Sequence, residues 1–192
     1  MDLVSHAIVT LADTRSYLGY TNTAKDESIK LFINISTDMI ETYTGRRFAS
    51  TVYTQEPFDG NGEKEILLPQ YPVTAFSILE KNGAADNSSS WETVDSASYW
   101  RKDDEGILIG TARFSCGVRN YRATFTAGYT AGNIPYDLQF ACMKMVELMF
   151  RDQKASGLES ERLGDHSVVF AKASEQDPTL QKVLDKYKKP NL

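Results

Sequence analysis

Nucleophilic catalysis needs a serine or cysteine beside a base that a third group orients. The two histidines of this chain, His6 and His166, are poorly placed for that work. His6 lies in the first residues and reads as part of a frayed end. His166 follows Asp165 in LGDHSVVF, no GxSxG elbow exists, and a loop or interface role fits it better. Asp59, Asn61, Glu63 and Glu65 in DGNGEKE resemble an oxygen-rich cation loop, but the twelfth position is Gln70 where a calcium loop needs Glu. A hairpin turn explains them. No Walker-type or GxGxxG loop is present to hold a nucleotide. Cys116 and Cys142 have no CxxC partner and no His at ligand spacing, and read as reduced, buried thiols. No catalytic, cofactor or metal site is expected.

Two groups of cations remain. Arg46 and Arg47, directly after Gly45, have the chemistry to clamp a phosphate or carboxylate, or to cover the last carbonyls of a preceding helix. Lys182, Lys186, Lys188 and Lys189 stand against Asp185 alone, a net charge of +3 near the C-terminus that is either a solvated face or a match for an acidic partner.

The elements that must position these residues fall into helical and strand-like stretches. The most apolar long segment is Ile134 to Lys154, IPYDLQFACMKMVELMFRDQK, with Pro135 and Asp137 marking a helix start. Its polar stripe holds only Lys144, Glu147, Arg151 and Lys154. Its apolar residues spread well beyond the roughly 100° that one core covers, so cover from a neighbouring subunit is expected. Thr10 caps a short helix ending near Gly19. From Ala24 to Thr44, Ile29, Phe32, Ile33, Ser36, Met39, Ile40 and Tyr43 share one stripe, with Leu31 and Ile35 off it and Gly45 closing the helix. After Asp177-Pro178, Leu180, Val183, Leu184 and Tyr187 follow at i, i+3, i+4 and i+7. A helix this short must dock on something.

Between Phe48 and Tyr129 the hydrophobic period is two. Val73–Glu80 and Tyr121–Tyr129 read as strands, with shorter ones at Ile66–Leu68 and Ile107–Ile109, and with a polar loop at Asn82–Ser90. A further loop is expected at Ala155–Glu161 and a strand at Ser167–Phe170. The expected fold is α+β, a helical core of about four helices with an inserted antiparallel β-sheet subdomain. It forms one domain, with helices in 1–48, the β insertion in 49–130, the central helix and a following strand or loop in 131–170, and the last helix in 171–192.

The 192 residues suffice for one domain burying roughly 70% of its unfolded surface. A net charge of −5, from 21 Lys and Arg against 26 Asp and Glu, argues against a surface built to grip nucleic acid, so any contact with DNA is expected to be loose. The N-terminus lacks the basic start and apolar run of a signal peptide, and no segment has the roughly 18 apolar residues of a membrane span. Cytosol-like conditions are expected, with no membrane contact.

Taken in order, VTLADTRSYLGY, IKLFINISTDMIETYTGRRF, LPQYPVTAFSILE, VRNYRATFTAGYTAGNIPYDLQFACMKMVELMF and SERLGDHSVVF resemble the head-tail connector (adaptor, or head completion) proteins of long-tailed bacteriophages. The resemblance touches most of the chain. It implies a structural, non-enzymatic virion protein of the neck, assembled in the host bacterial cytoplasm. It further implies a dodecameric ring under the portal protein that carries a stopper or tail-completion protein on its other rim and lets genomic DNA pass. Leu31, Ile35, Met143, Met149 and Phe150 are then candidates for the ring interface. Leu180, Val183, Leu184, Tyr187, Lys188 and Lys189 are candidates for docking on the portal or a neighbour, with Arg46 and Arg47 as polar contacts. A stopper or tail-terminator position is the alternative within the neck. A ligand- or glycan-binding module using Tyr53, Trp91, Tyr99 and Trp100 is the alternative outside it.

Overall fold

A computed structural model describes residues 2–83, 90–156 and 178–189, with side chains described outside 152–156. Two compact units emerge: a helical unit from Met1–Ala49 and Ala131–Asn191, and a β unit from Ser50–Thr130.

The helical unit contains α1 (Leu11–Tyr17), α2 (Asp26–Thr44), α3 (Tyr136–Ser156) and α4 (Pro178–Lys186). Thr10 caps α1 by accepting a hydrogen bond from the Asp13 backbone N–H, and Gly19 at φ +73° takes the left-handed turn that follows. Helix α2 ends where Gly45 enters the left-handed region at φ 68° and its N–H returns to the Glu41 carbonyl. The expected stripe is the buried one: Ile29, Phe32, Ile33, Ser36, Met39 and Ile40 are all inside, with Tyr43 half-buried. α1, α3 and α4 each pack on α2, and α4 also packs on α3. α3 continues to Ser156, two residues into the stretch expected to be loop. The remainder of that loop, the Ser167–Phe170 strand, His166, the Asp177 cap and residues 84–89 of the polar loop lie outside the described residues.

The β unit holds two antiparallel sheets. One has the order β1 (Thr51–Gly60), β7 (Gly117–Ala127), β3 (Val73–Asn82), β4 (Trp91–Thr93); the other has the order β2 (Glu65–Leu67), β6 (Ile107–Gly110), β5 (Tyr99–Lys102). A single 3₁₀ turn at Ser96–Ser98 precedes β5. Strand β7 is central and obeys the alternation read from sequence. Tyr121, Ala123, Phe125 and Ala127 point into the core, and Arg122, Thr124 and Thr126 point to the other face. Both sheets feed one apolar core, with Leu79 and Phe125 from the first meeting Ile66 and Leu108 from the second. The chain enters and leaves this unit at one place, where Ser50 N–H donates to the Tyr129 carbonyl at 2.9 Å and Thr51 pairs with Ala127.

The bulges explain what the sequence hid. Strand β1 was not expected as a strand, because its pairing with β7 slips between Tyr53 and Glu56, where the extra residue on β1 breaks the period of two; a second slip, opposite Asp59, places its extra residues on β7. Cys142 is fully buried and its thiol is pushed up to about 12 by burial, but Cys116 is exposed, correcting the expectation of two buried thiols. Among the described residues no helix is long and apolar enough to cross a membrane.

Candidate functional site

The last helix is held by its own chain. Leu180, Leu184 and Tyr187 are buried, Val183 is half-buried, and the Tyr187 ring meets Phe48 edge-on at 5.8 Å. Polar contacts surround that apolar face. The Tyr187 hydroxyl donates to Asp137 at 2.6 Å, and Lys186 Nζ donates to the same carboxylate at 2.8 Å. Tyr43 donates its hydroxyl to Asp185, and Lys189 N–H reaches the Thr44 carbonyl at 2.8 Å. Burial raises the Asp137 carboxyl, and the bonds from Lys186 and Tyr187 outweigh it, leaving the group below the usual aspartate value. Burial and the Asp137 contact together push the Tyr187 phenol up to about 12.

Arg46 is 5% exposed. Its Nη1 donates to the Tyr187 carbonyl at 3.3 Å while the guanidinium lies over the Phe48 ring. It therefore secures the end of α4. Arg47 is exposed and pairs with Glu41 at 3.6 Å. His6, expected in a frayed end, sits 3.6 Å from Glu41 and 3.7 Å from Asp38.

The docking set therefore divides. Leu180, Leu184 and Tyr187 are covered within the chain, so they are not a free face awaiting a neighbour. Lys188 lies over the Tyr43 ring at 4.9 Å, and burial lowers the Lys189 ammonium.

The ring set divides too. Met149 and Phe150 are buried, with Phe150 edge-on to Phe32 at 4.7 Å and near Tyr20 at 6.0 Å. Leu31, Ile35 and Met143 are half-buried. The chain thus shields most of the apolar flank of α3 by itself, because α2 and α4 both pack on that helix. What stays open is an aromatic step at its start. Tyr136 is 84% exposed and Phe140, one turn later, is 50% exposed. Tyr17 of α1 packs edge-on to Phe140 at 6.1 Å and donates to Glu147, which also pairs with Lys144 at 2.9 Å. Sequence reasoning passed over Tyr136 and Tyr17. The signal available was that both sit at helix ends, where no further turn covers them.

In the β unit, Tyr53 stacks on Phe125 at 5.2 Å and Tyr99 meets Phe76, so neither belongs to an exposed platform. Trp100 is 62% exposed and Trp91 carries Arg122 over its ring at 4.3 Å. Gln55, Pro57, Trp91, Arg119 and Arg122 line an open cavity of about 410 Å³ on this face. Among the described residues no group of His, Cys, Asp and Glu is arranged to hold a metal ion.

A helical frame that closes on its own C-terminal helix and carries a two-sheet unit between α2 and α3 is an arrangement that can be compared with known proteins. Residues 7–190 match the head completion protein family. The chain belongs to that family. No curated protein matches it. Solved structures similar to this head completion protein include one described as "Virion of native gene transfer agent (GTA) particle", with TM-score 0.61 and 16% identity over 100% of this chain and 95% of the other. Another is "Neck of native GTA particle computed with C12 symmetry", with TM-score 0.59 and 14% identity over 100% and 94%. A third is "Neck of empty GTA particle computed with C6 symmetry", with TM-score 0.57 and 15% identity over 100% and 95%. At these identities the likeness carries the fold alone, and the α+β fold of this head completion protein is common to all three.

Proposed function

We propose that this head completion protein is a head-tail adaptor of the virion neck. Copies close into a dodecameric ring beneath the portal, offer the opposite rim to a stopper or tail-completion protein, and leave a channel for the genome. The observation that carries the reading is the aromatic step of Tyr17, Tyr136 and Phe140. Among the described residues of the helical unit these are the large apolar side chains most open to water, and such rings fit an interface better than a free surface. Such a patch pairs with a different surface of the next copy, and heterologous contacts of that kind close into rings. The similar chains come from particles solved with twelvefold and sixfold symmetry in the neck, which supports the ring. The net charge of −5 suits a channel wall that DNA slides past rather than grips. Assembly in the host cytoplasm, virion location and the absence of catalysis belong to the same reading.

The test is to add purified protein to portal-bearing capsids and image the vertex. Wild type adds a ring of density there. A Tyr136→Asp, Phe140→Asp double variant that folds normally adds none. A variant that still forms the ring removes this surface from the interface. Wild type that never joins the vertex removes the adaptor reading.

A further inference from the structure

Six large hydrophobic side chains among the described residues stand open to water. Tyr17, Tyr136 and Phe140 make the aromatic step, and Val52, Trp100 and Val118 belong to the β unit. The surroundings of the second three differ. Val52 pairs across the strand with Thr126, and Val118 lies between Gly117 and Arg119, so each stands among small or polar neighbours. Trp100 does not. It pairs with Ile109 of β6, which pairs in turn with Glu65 of β2, and a parallel row holds Lys102, Ile107 and Leu67.

Paired residues share a face of a sheet, and so do residues two apart along a strand. Ile66 and Leu108, between the two rows, belong to the core, so the rows themselves look away from it. Trp100 is 62% exposed, and Leu67, Ile107 and Ile109 are half-buried. The outer face of the three-stranded sheet is therefore apolar across all its strands. Glu65 and Lys102 occupy opposite corners.

We infer, on the adaptor reading above, that this face receives the aromatic step of the next copy in the ring, with Trp100 against Tyr136 and Phe140. A ring of identical copies joins two different surfaces of each one, so every copy must offer a counterpart to its own step, in equal number. Among the described residues, the Trp100 face is the exposed apolar side chain of the β unit that continues into an apolar surface. A foreign partner seated there would leave every step unmatched. At 150–250 Å² for a fully covered aromatic side chain, the open fractions of Tyr136, Phe140 and Tyr17, 84%, 50% and 36%, come to roughly 250–425 Å². That is the size of an apolar centre within the roughly 800 Å² that each partner gives to a stable interface. Charge does not oppose the match. Lys144 and Glu147 flank the step and Lys102 and Glu65 flank the face, one base and one acid on each side.

Crosslinking on the assembled vertex tests the pairing. In a Cys116→Ser parent, whose remaining thiol at Cys142 is buried, Tyr136→Cys and Lys102→Cys put one reactive thiol on each surface and keep Trp100 and Phe140 in place. Folded variants are added to portal-bearing capsids, treated with a short bismaleimide and run on a denaturing gel. The chain carrying both cysteines is expected to give a ladder extending beyond dimers. A mixture of the two single variants should give dimers only, and each single variant alone should stay monomeric. In a second measurement, Trp100→Asp should lower occupancy of the vertex at least roughly tenfold while Val118→Asp leaves it unchanged. Dimers from either single variant would mean that like faces like, and overturn the inference. No ladder from the double variant on vertices that carry the ring, or full occupancy with Trp100→Asp, overturns it and leaves the adaptor reading standing. Wild type that adds no ring removes both.

Discussion

Tyr187 donates its hydroxyl to Asp137 at 2.6 Å, which fastens the last helix of the chain to the first turn of α3. Asp137 also accepts from Lys186 and from the Leu138 backbone N–H. One carboxylate thus serves the start of one helix and the end of another.

Removing the hydroxyl isolates that bond. Tyr187→Phe keeps the ring against Phe48 and leaves Asp137 two other donors, so the cost is about 1–2 kcal/mol. For a chain of this size the thermal midpoint falls by about 2–8 °C, as measured by circular dichroism.

The same contact sets two limbs of a pH profile. The Asp137 carboxyl lies below its ordinary value of 3.8 in the folded chain, so its stabilisation is present above pH 3.8 and is lost as pH falls below it. The Tyr187 phenol is raised from 10.0 to about 12, so its contribution is full below pH 10 and is lost as pH climbs toward 12. Denaturant midpoints across pH should show Asp137→Asn flattening the acid limb and Tyr187→Phe the alkaline one.

Burial separates two neighbours in α4. Leu184 is 0% exposed, and Leu184→Ala should cost about 2–5 kcal/mol in urea unfolding. Val183 is half-buried, and Val183→Ala should cost about 1 kcal/mol or less. Equal costs would mean that α4 is not packed as described.

Two glycines make a second contrast. A Cβ on Gly60 would lie 1.9 Å from the Ser115 carbonyl oxygen, so Gly60→Ala forces backbone apart in the β unit and should cost roughly 4 kcal/mol or more. A Cβ on Gly45 meets Lys189 at 3.7 Å, ordinary contact, and Gly45→Ala should cost only the left-handed strain, about 1–2 kcal/mol.

At the aromatic step the expectation is the reverse. Tyr136→Ala removes an exposed ring and should change the stability of the isolated chain by less than about 0.5 kcal/mol, while Phe140→Ala, which also loses the edge-on contact with Tyr17, should cost about 1 kcal/mol. Their main effect belongs to assembly, and thermal melting of the free protein checks both values.

Periodicity made α2 and the core-facing half of β7 legible, since one stripe or one face of each meets a single core; β3 was legible as an apolar run bounded by turn residues although its pairing with β7 slips twice. It failed on β1, where a bulge at Thr54–Gln55 and a proline at 57 interrupt the alternation. It misled on α3 for a different reason. A helix covered by both α2 and α4 looks from sequence like a helix that lacks cover, because the one-dimensional pattern does not say whether the second layer comes from the same chain. Met149 and Phe150 were therefore read as surface to be shared, and Phe32 and Tyr20 already meet Phe150. Arg46 could be placed at a helix end by its position after Gly45, but its partner, the Tyr187 carbonyl, lies 141 residues away and leaves no local signature.

The joined entrance and exit of the β unit, Ser50 beside Tyr129, has a topological consequence. To the helical frame, some eighty residues of sheet are equivalent to one tight turn, and closing that turn costs little more for a long excursion than for a short one. The module's length is therefore free to change at little entropic cost to the closure of its ends. A chimera in which a brief flexible bridge replaces everything from Thr51 to Ala127 should still fold helices α1 to α4.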